Sequence, residues 1–516
     1  MRELGSMRRF LHTANGSRLF CLLSGAVFSL SFRWEWAFFA VFPALTFFFL
    51  LLFGEEKGLF SRCFCFFAGC NLLLYTWFTA LYPLSVYGFS GAVSALIVAF
   101  CCIALPLLQA LLCAGIWLLT RLFAKEKPLL RALGCGAVWV LTEWVLSLGE
   151  LAFPWGTLAL SQTGFVPLLQ TVSVWGVYGL AFAVSFFCAL LAEGIRAKGK
   201  ALLRGAAAFL CAVLTVGTVL YLVPQKVDRT VSVALVQGNS TAEEQWTSAM
   251  VAEVYKTYLS MTEEAAKQGA KLIILPETAI AVSFSAGSPL HLALADIAEE
   301  YDCTILLGVL QKKEDGIHNG AVAIDPDHTL SEIYEKRHLV PFGEFLPLGG
   351  MLEHIFPSLS GLNLTGASLV TEETEAVLHS ELYTFGCFIC FDSVFTGQDR
   401  AVPESDFSVV VTNDGWFKKS SGIYQHLRFS KLRAVEGGKT LLRCGNTGIS
   451  AVIDAKGGVL ASTKPMEPDI LYFDAPIGTG TTAYSVVGDT AVLLCGGFLL
   501  ILLILHLKKR KRYVET

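Results

Sequence analysis

The sequence predicts an α-helical polytopic membrane domain of about eight spans joined to a soluble, sheet-rich α/β domain. Three observations predict it. Charged residues make up only 16% of the 516-residue chain and hydrophobic residues 54%, whereas a soluble globular chain carries about 25% charged residues. The charges are sparse before residue 224 and after 488, and ordinary in between. Apolar segments long enough to cross ~30 Å of hydrocarbon, which takes about 20 residues, recur on both sides of that polar middle. The net charge of −4 gives no sign of nucleic acid as a partner.

Seven such segments precede the middle region, at 18–33, 35–53, 60–82, 90–120, 132–149, 171–193 and 203–223. The first two are separated only by Arg33 and Trp34 and make a tight hairpin if both span. An eighth runs over 489–507, interrupted by nothing stronger than Gly496-Gly497. The expected organisation is a membrane domain over 1–223, a soluble domain over 224–488, a last span over 489–507 and a basic tail over 508–516.

The loops set the orientation, because Lys and Arg concentrate on the cytoplasmic side. Lys57 and Arg62 lie in loop 54–62. Arg121, Lys125, Lys127 and Arg131 lie in loop 121–131, and Arg196, Lys198, Lys200 and Arg204 in loop 194–204. The alternate loops 83–89 and 149–170 hold neither residue. Arg8-Arg9 precede the first span, and Lys508-Lys509-Arg510-Lys511-Arg512 follow the last. Both termini are therefore expected in the cytoplasm and the middle domain outside it. No cleavable signal pattern is seen, so the first span is expected to be retained.

The middle region reads as alternating strands and helices followed by a run of strands, the pattern of a layered α/β domain. Apolar runs at 231–236, 271–275 and 304–309 fit buried strands. Further strands are expected at 319–325, 383–390, 407–412, 440–445, 448–454 and 469–474, and helices at 242–267, 289–300 and 422–438.

The fifteen cysteines do not form a disulfide framework. Most, such as Cys63, Cys65, Cys70, Cys101 and Cys102, lie in apolar runs, where a thiol behaves as a small hydrophobe. Only Cys303, Cys387, Cys390 and Cys444 fall in the polar middle. Cys387 and Cys390 form a lone C-x-x-C, open to a redox or metal reading, but no second ligand pair accompanies it.

Three positions at strand ends can carry chemistry. Glu277 follows a strand stopped by Pro276; alone, it fits a carboxylate in a solvated turn better. Lys336 stands in Tyr334-Glu335-Lys336-Arg337-His338, ahead of Leu339-Val340-Pro341-Phe342-Gly343-Glu344, where a lone Lys also fits the surface. Cys390 ends the apolar strand Gly386-Cys387-Phe388-Ile389-Cys390, where a buried structural thiol is the alternative. Side chains alternate along a strand, so Cys387 and Cys390 point to opposite faces if the strand stays regular.

In this order and with these flanks, the residues resemble the nitrilase (carbon–nitrogen hydrolase) superfamily, whose Glu–Lys–Cys triad sits on an αββα sandwich. The seven-plus-one membrane plan resembles one family within it, the apolipoprotein N-acyltransferases. Further phrases are similar to that family: Glu143-Trp144, Phe153-Pro154-Trp155-Gly156, Val236-Gln237-Gly238-Asn239, Asn413-Asp414-Gly415-Trp416-Phe417 and Arg443-Cys444-Gly445-Asn446-Thr447-Gly448. One departure stands out. The family more often follows its nucleophile with Tyr-Glu, and here Phe391-Asp392 follow.

The resemblance implies Cys390 as nucleophile, Glu277 as general base and acid, Lys336 as thiolate and oxyanion stabiliser, and Glu344 as auxiliary carboxylate. A nearby ammonium and a helix beginning after Cys390 would both favour the thiolate. The implied reaction takes an acyl group from a phospholipid onto Cys390. The α-amino group of the diacylglyceryl-modified N-terminal cysteine of an apolipoprotein then resolves the thioester. No metal or organic cofactor is required. The implied location is a bacterial inner membrane, with the catalytic domain facing the periplasm. Trp246, Phe342, Phe345, Phe391, Asp392 and Trp416 are candidates for substrate contact near the mouth, with core packing the alternative for the aromatic residues.

Three rival readings follow from the same residues. A membrane-tethered amidase or nitrilase would use the triad with water as acceptor. A transporter would line its spans with ionisable residues, yet mainly Glu143 and, at an end, Glu193 are seen. A non-catalytic lipid-binding protein would not depend on Cys390. Segment 346–362 carries Leu346, Leu348, Met351, Leu352, Ile355 and Phe356 at irregular spacing. It is expected either to dip into the membrane interface or to fold onto the domain's own core.

Overall fold

A computed structural model describes residues 13–53, 58–85, 88–241, 244, 248–349, 354, 369–397, 404–478 and 480–515. Trp246 and most of segment 346–362, including Met351, Leu352, Ile355 and Phe356, lie outside the described residues.

Helical segments fall where the apolar runs predict them. Among the described residues six are long and apolar enough to cross a membrane: Glu35–Leu52, Leu59–Leu81, Gly91–Leu122, Val172–Ala197, Lys200–Leu222 and Thr490–Arg510. Two more, Ala14–Arg33 and Pro128–Val145, belong to the same bundle. The first of these is capped by Thr13, whose hydroxyl accepts from the Gly16 amide at 3.0 Å. It packs against helix Leu59–Leu74 at a crossing made by two glycines. A Cβ on Gly25 would lie 1.9 Å from the Phe66 carbonyl oxygen, and one on Gly69 would lie 2.1 Å from that of Leu22. Small residues at such a crossing let two membrane helices approach backbone to backbone.

The soluble domain is built on two sheets. The first has the order β13-β1-β2-β3-β4-β5, with β6 beside β4. Its strands are β1 (Arg229–Gln237), β2 (Leu272–Ile274), β3 (Thr304–Lys312), β4 (Ile317–Ile324), β5 (Tyr334–Glu335), β6 (Leu369–Val370) and β13 (Asp469–Ile477). The second has the order β12-β11-β10-β9-β8-β7. Its strands are β7 (Val377–His379), β8 (Thr384–Ile389), β9 (Phe407–Thr412), β10 (Leu441–Gly445), β11 (Ala451–Ile453) and β12 (Val459–Ser462).

Strand alternation sorts the apolar residues into three layers of core. Val233, Leu235, Leu272, Ile274 and Leu306 of the first sheet meet Phe385, Cys387, Ile389, Val409 and Val411 of the second. The other face of the first sheet, with Ala234, Val236, Ile273, Ile305 and Val322, packs on helices α1 (Ser248–Lys267) and α2 (Pro289–Tyr301). The other face of the second sheet, with Phe388, Val410, Leu441 and Ile453, packs on helix α3 (Ser421–Gly437). The result is an αββα sandwich.

Helix α3 does not face water. Its cluster runs without a break into the membrane helices. Arg428 donates to the carbonyls of Ser31 and Phe32 at 3.1 and 3.0 Å, which satisfies the C-terminal carbonyls of helix Ala14–Arg33. Gln425 accepts from the Trp155 indole at 2.7 Å, and Glu436 accepts from the Val177 amide at 3.1 Å. That amide sits at a kink, because Trp175 and Gly176 leave helical geometry inside helix Val172–Ala197. The outer helix layer of the sandwich is thus also the layer that seats it on the bundle.

Candidate active site

The parallel strands β2, β8, β9 and β10 all deliver their carboxyl ends to one edge of the sandwich, the side where open α/β sheets bind ligands. Glu277 follows β2, Cys390 follows β8, Asn413 and Asp414 follow β9, and Asn446 follows β10. Lys336 follows the short β5. The sequence separates Glu277 from Cys390 by more than a hundred residues, and the two sheets bring them together.

Glu277 is 4% exposed. Its Oε1 accepts from Lys336 Nζ at 2.9 Å and from Asn319 Nδ2 at 2.8 Å, and its Oε2 accepts from the Asn413 amide at 2.9 Å. β3 makes room for it: a Cβ on Gly308 would sit 2.6 Å from the Glu277 Cα. A carboxylate offers about four acceptor positions, and among the described residues three donors reach this one. Lys336, 1% exposed, also donates to Glu344 Oε1 at 2.7 Å, and Glu344 Oε2 accepts from the Val340 amide at 2.7 Å. Glu344 therefore fixes the ammonium and closes the loop that carries it.

The electrostatics are those of one cation between two carboxylates. Burial opposes charge on Lys336, but Glu277 and Glu344 hold its pKa well above the ordinary range. Burial raises the Glu344 carboxyl, an effect only partly offset by Lys336. Burial also pushes the Cys390 thiol far up, and the Glu277 charge adds to this; Lys336 and a hydrogen bond with the Thr412 side chain offset only part. Lys336 favours the thiolate, as expected, but burial and the Glu277 charge outweigh it. The helix expected to follow Cys390 is a single turn, Cys390–Val394, too short to stabilise an anion strongly. The Cys390 side chain therefore lies beside a carboxylate in a setting that favours its neutral form.

Cys390 sits on an elbow. Strand β8 ends at Ile389 and Cys390 takes φ +50°, a conformation uncommon for any residue but glycine. Cys387 is buried between the sheets, where burial raises its thiol pKa too. Cys390, less buried, packs against the edge of that same inter-sheet cluster.

Asp392 and Phe391 are turned inward, which corrects their assignment to the mouth. Asp392 is fully buried. It accepts from the Tyr334 hydroxyl at 2.8 Å, the His338 amide at 2.8 Å and the Ile389 amide at 3.1 Å. Burial opposes its charge, but His338, Lys336 and Tyr334 keep its carboxyl below the usual range. It ties the nucleophile's turn to the Lys336 loop. Phe391 stacks on Phe153 of the membrane domain with ring centroids 5.5 Å apart. Phe342, at 37% exposure, is the most open of the described aromatic candidates; Phe345 and Trp416 are half-buried. Leu348, also exposed, donates its amide to Glu150 of the bundle.

Sequence reasoning missed a second buried cluster. Asp414 Oδ2 accepts from Arg443 at 2.7 Å, and its Oδ1 lies 2.8 Å from His426 Nδ1. Burial opposes its charge, but Arg443 and His426 hold the Asp414 carboxyl far below the ordinary range. The phrases Asn413-Asp414-Gly415 and Arg443-Cys444-Gly445 were visible in the sequence, but nothing in either showed that they meet. Among the described residues no group of three His, Cys, Asp or Glu forms a metal site.

The fold and site define a carbon–nitrogen hydrolase domain seated on a helical membrane bundle. The family model described as carbon-nitrogen hydrolase matches residues 232–483, and that of the apolipoprotein N-acyltransferase N-terminal domain matches residues 24–190. Curated relatives include the apolipoprotein N-acyltransferases of Photobacterium profundum, 30% identical over 67% of this chain and 68% of that protein. Another is that of Gloeobacter violaceus, 31% identical over 70% and 69%. Among solved structures, a CN-hydrolase superfamily protein from Xanthomonas campestris aligns at 21% identity, covering 48% of this chain and 91% of that one, with a TM-score of 0.37. The chain belongs to the apolipoprotein N-acyltransferase family.

Proposed function

We propose that this enzyme N-acylates the N-terminal diacylglyceryl-cysteine of apolipoproteins, taking the acyl group from a phospholipid through a thioester on Cys390. Glu277 removes the thiol proton as sulfur attacks the ester carbonyl. Lys336, with backbone amides at the elbow, holds the oxyanion. The C–O bond breaks, and Glu277 returns the proton to the leaving lysophospholipid oxygen. The acceptor amine then attacks the thioester. Glu277 takes a proton from the nitrogen, the C–S bond breaks, and that proton returns to sulfur. An amide and a free thiol remain.

One observation supports a lipid substrate above all. The residue after the nucleophile is stacked on a membrane-domain ring, so the site lies against the bundle rather than out in solvent. Tyr82, Leu148, Leu151, Phe342 and Leu348 are exposed, and exposed apolar side chains of this kind suit lipid contact. The organisation that goes with this reading is a membrane domain over 1–223, a catalytic domain over 224–488 on the periplasmic face, a final span over 489–507 and cytoplasmic termini. Tags at 228 or 480 should then react with an impermeant reagent from outside the inner membrane, and tags at 126, 199 and 514 should not. The reaction itself is tested by incubating the purified enzyme with phospholipid and a diacylglyceryl-cysteine peptide. Acylated peptide is the expected product. Free fatty acid with unchanged peptide would mean that water is the acceptor and the enzyme a hydrolase.

A further inference from the structure

His426 belongs to none of the roles above, yet it is 1% exposed and lies against the nucleophile. Its Nε2 is 3.1 Å from the Cys390 carbonyl oxygen and 3.1 Å from Ser393 Oγ, which itself donates to that carbonyl at 2.7 Å. A carbonyl oxygen has no hydrogen to give, so Nε2 carries one. The other ring nitrogen lies 2.8 Å from Asp414 Oδ1 and 3.0 Å from Arg443 Nη2. It donates to the first or accepts from the second, and either arrangement fixes the ring. Phe417 meets the imidazole edge-on at 5.6 Å and the Trp155 ring lies 5.9 Å away.

This arrangement supplies what the elbow requires. A non-glycine residue in the left-handed region is strained and persists only where its surroundings hold it. The Cys390 carbonyl is the group that such a turn would swing, and two donors hold it. Helix α3, which carries His426, is fixed in turn by its neighbours: Gln425 binds the Trp155 indole and Arg428 binds the end of helix Ala14–Arg33.

We infer that His426 is a positioning residue: backed by Asp414 and Arg443, it holds the Cys390 carbonyl from a helix bolted to the membrane domain, so that seating on the bundle and aiming of the thiol are one structural event. The inference rests on Cys390 being the nucleophile. It deepens that reading by giving the membrane domain a part in shaping the nucleophile as well as in admitting lipid.

The test uses the full-length enzyme in detergent and p-nitrophenyl butyrate, a small acyl donor that needs no lipid entry. The burst of p-nitrophenol reports acylation. His426→Phe keeps the ring and removes the donor; it should lower the acylation rate constant about 100-fold, the cost of misplacing a reacting group by an ångström or so, with KM unchanged. His426→Gln places an N–H close to the position of Nε2 and should stay within about tenfold of wild type by the same reasoning. Ser393→Ala removes the second donor and should cost about tenfold; it serves in place of the phenylalanine variant if that protein is not recovered folded. Wild-type acylation in His426→Phe or in Ser393→Ala, or equal losses in His426→Phe and His426→Gln, would overturn the inference. Cys390→Ala run alongside separates the two levels: a burst there removes the nucleophile and the inference with it, whereas a silent Cys390→Ala beside a fully active His426→Phe removes the inference alone.

Discussion

Glu193 in the membrane bundle and Glu277 in the catalytic domain are both buried carboxylates held by cationic side chains, but the charge around them is balanced differently. Glu193 is gripped by two arginines, with Arg131 at 2.6 Å and Arg196 at 2.9 Å. Glu277 shares one lysine with Glu344. Buried ion pairs contribute little net stability but are costly to break, so the first arrangement is a lock. The second leaves an excess of negative charge beside a thiol, with a carboxylate whose protein donors number three among the described residues. Burying charge fixes a structure where every charge is matched, and prepares proton transfer where one acceptor position remains for the reacting group.

The sharpest break of this contrast is at sulfur. Cys390→Ala and Cys390→Ser should abolish acyl transfer in a phospholipid assay, while Cys387→Ala, a change within the inter-sheet core, should leave substantial activity. The reverse result would put the nucleophile on the wrong thiol. Next come the groups that move and stabilise charge. Glu277→Gln and Lys336→Met should each slow acyl-enzyme formation by about 10²–10⁴, the range for a lost acid–base group; normal accumulation in Glu277→Gln would require another base.

Glu193→Gln should do the opposite. It leaves the partly buried Arg131 and the exposed Arg196 without their carboxylate and should cost about 1–3 kcal/mol of stability, seen as a lower unfolding temperature, while the acylation rate of the remaining folded enzyme stays normal. A variant that is stable but inactive would mean that the bundle's charges take part in the chemistry. The smallest effect is in pH. Because the Cys390 thiol is raised, alkylation by iodoacetamide should keep climbing past pH 9 instead of levelling near the ordinary thiol value of about 8.5. By linkage, the same shift gives stability that is full below that value and declines as pH rises through it. A plateau below pH 8 would show a resting thiolate.

The sequence showed the strand ends well and the contacts between them poorly. Glu277 and Cys390 stood out because each closes an apolar run, and Lys336 because it stands in a recognisable phrase. The spans were legible because hydrocarbon thickness sets their length. The Asp414–His426–Arg443 cluster was not, because its members come from a strand end, a helix face and a strand interior that only tertiary packing unites. Helix α3 shows the same limit. Its periodicity fits a helix lying on a sheet, but nothing in it distinguishes a face turned to water from one turned to a membrane bundle. Phe391 and Asp392 looked like mouth residues because they follow the nucleophile, yet the elbow at Cys390 turns both inward.

The central claim is that the acyl group rests on one particular sulfur. Mass spectrometry of the purified enzyme after brief mixing with phospholipid, without acceptor, tests it directly. The account predicts one added acyl mass on the peptide carrying Cys390, discharged when a diacylglyceryl-cysteine peptide is added and absent from Cys390→Ser. An acyl group on Cys387, or transfer to the acceptor with no acyl-enzyme at any time, would contradict it.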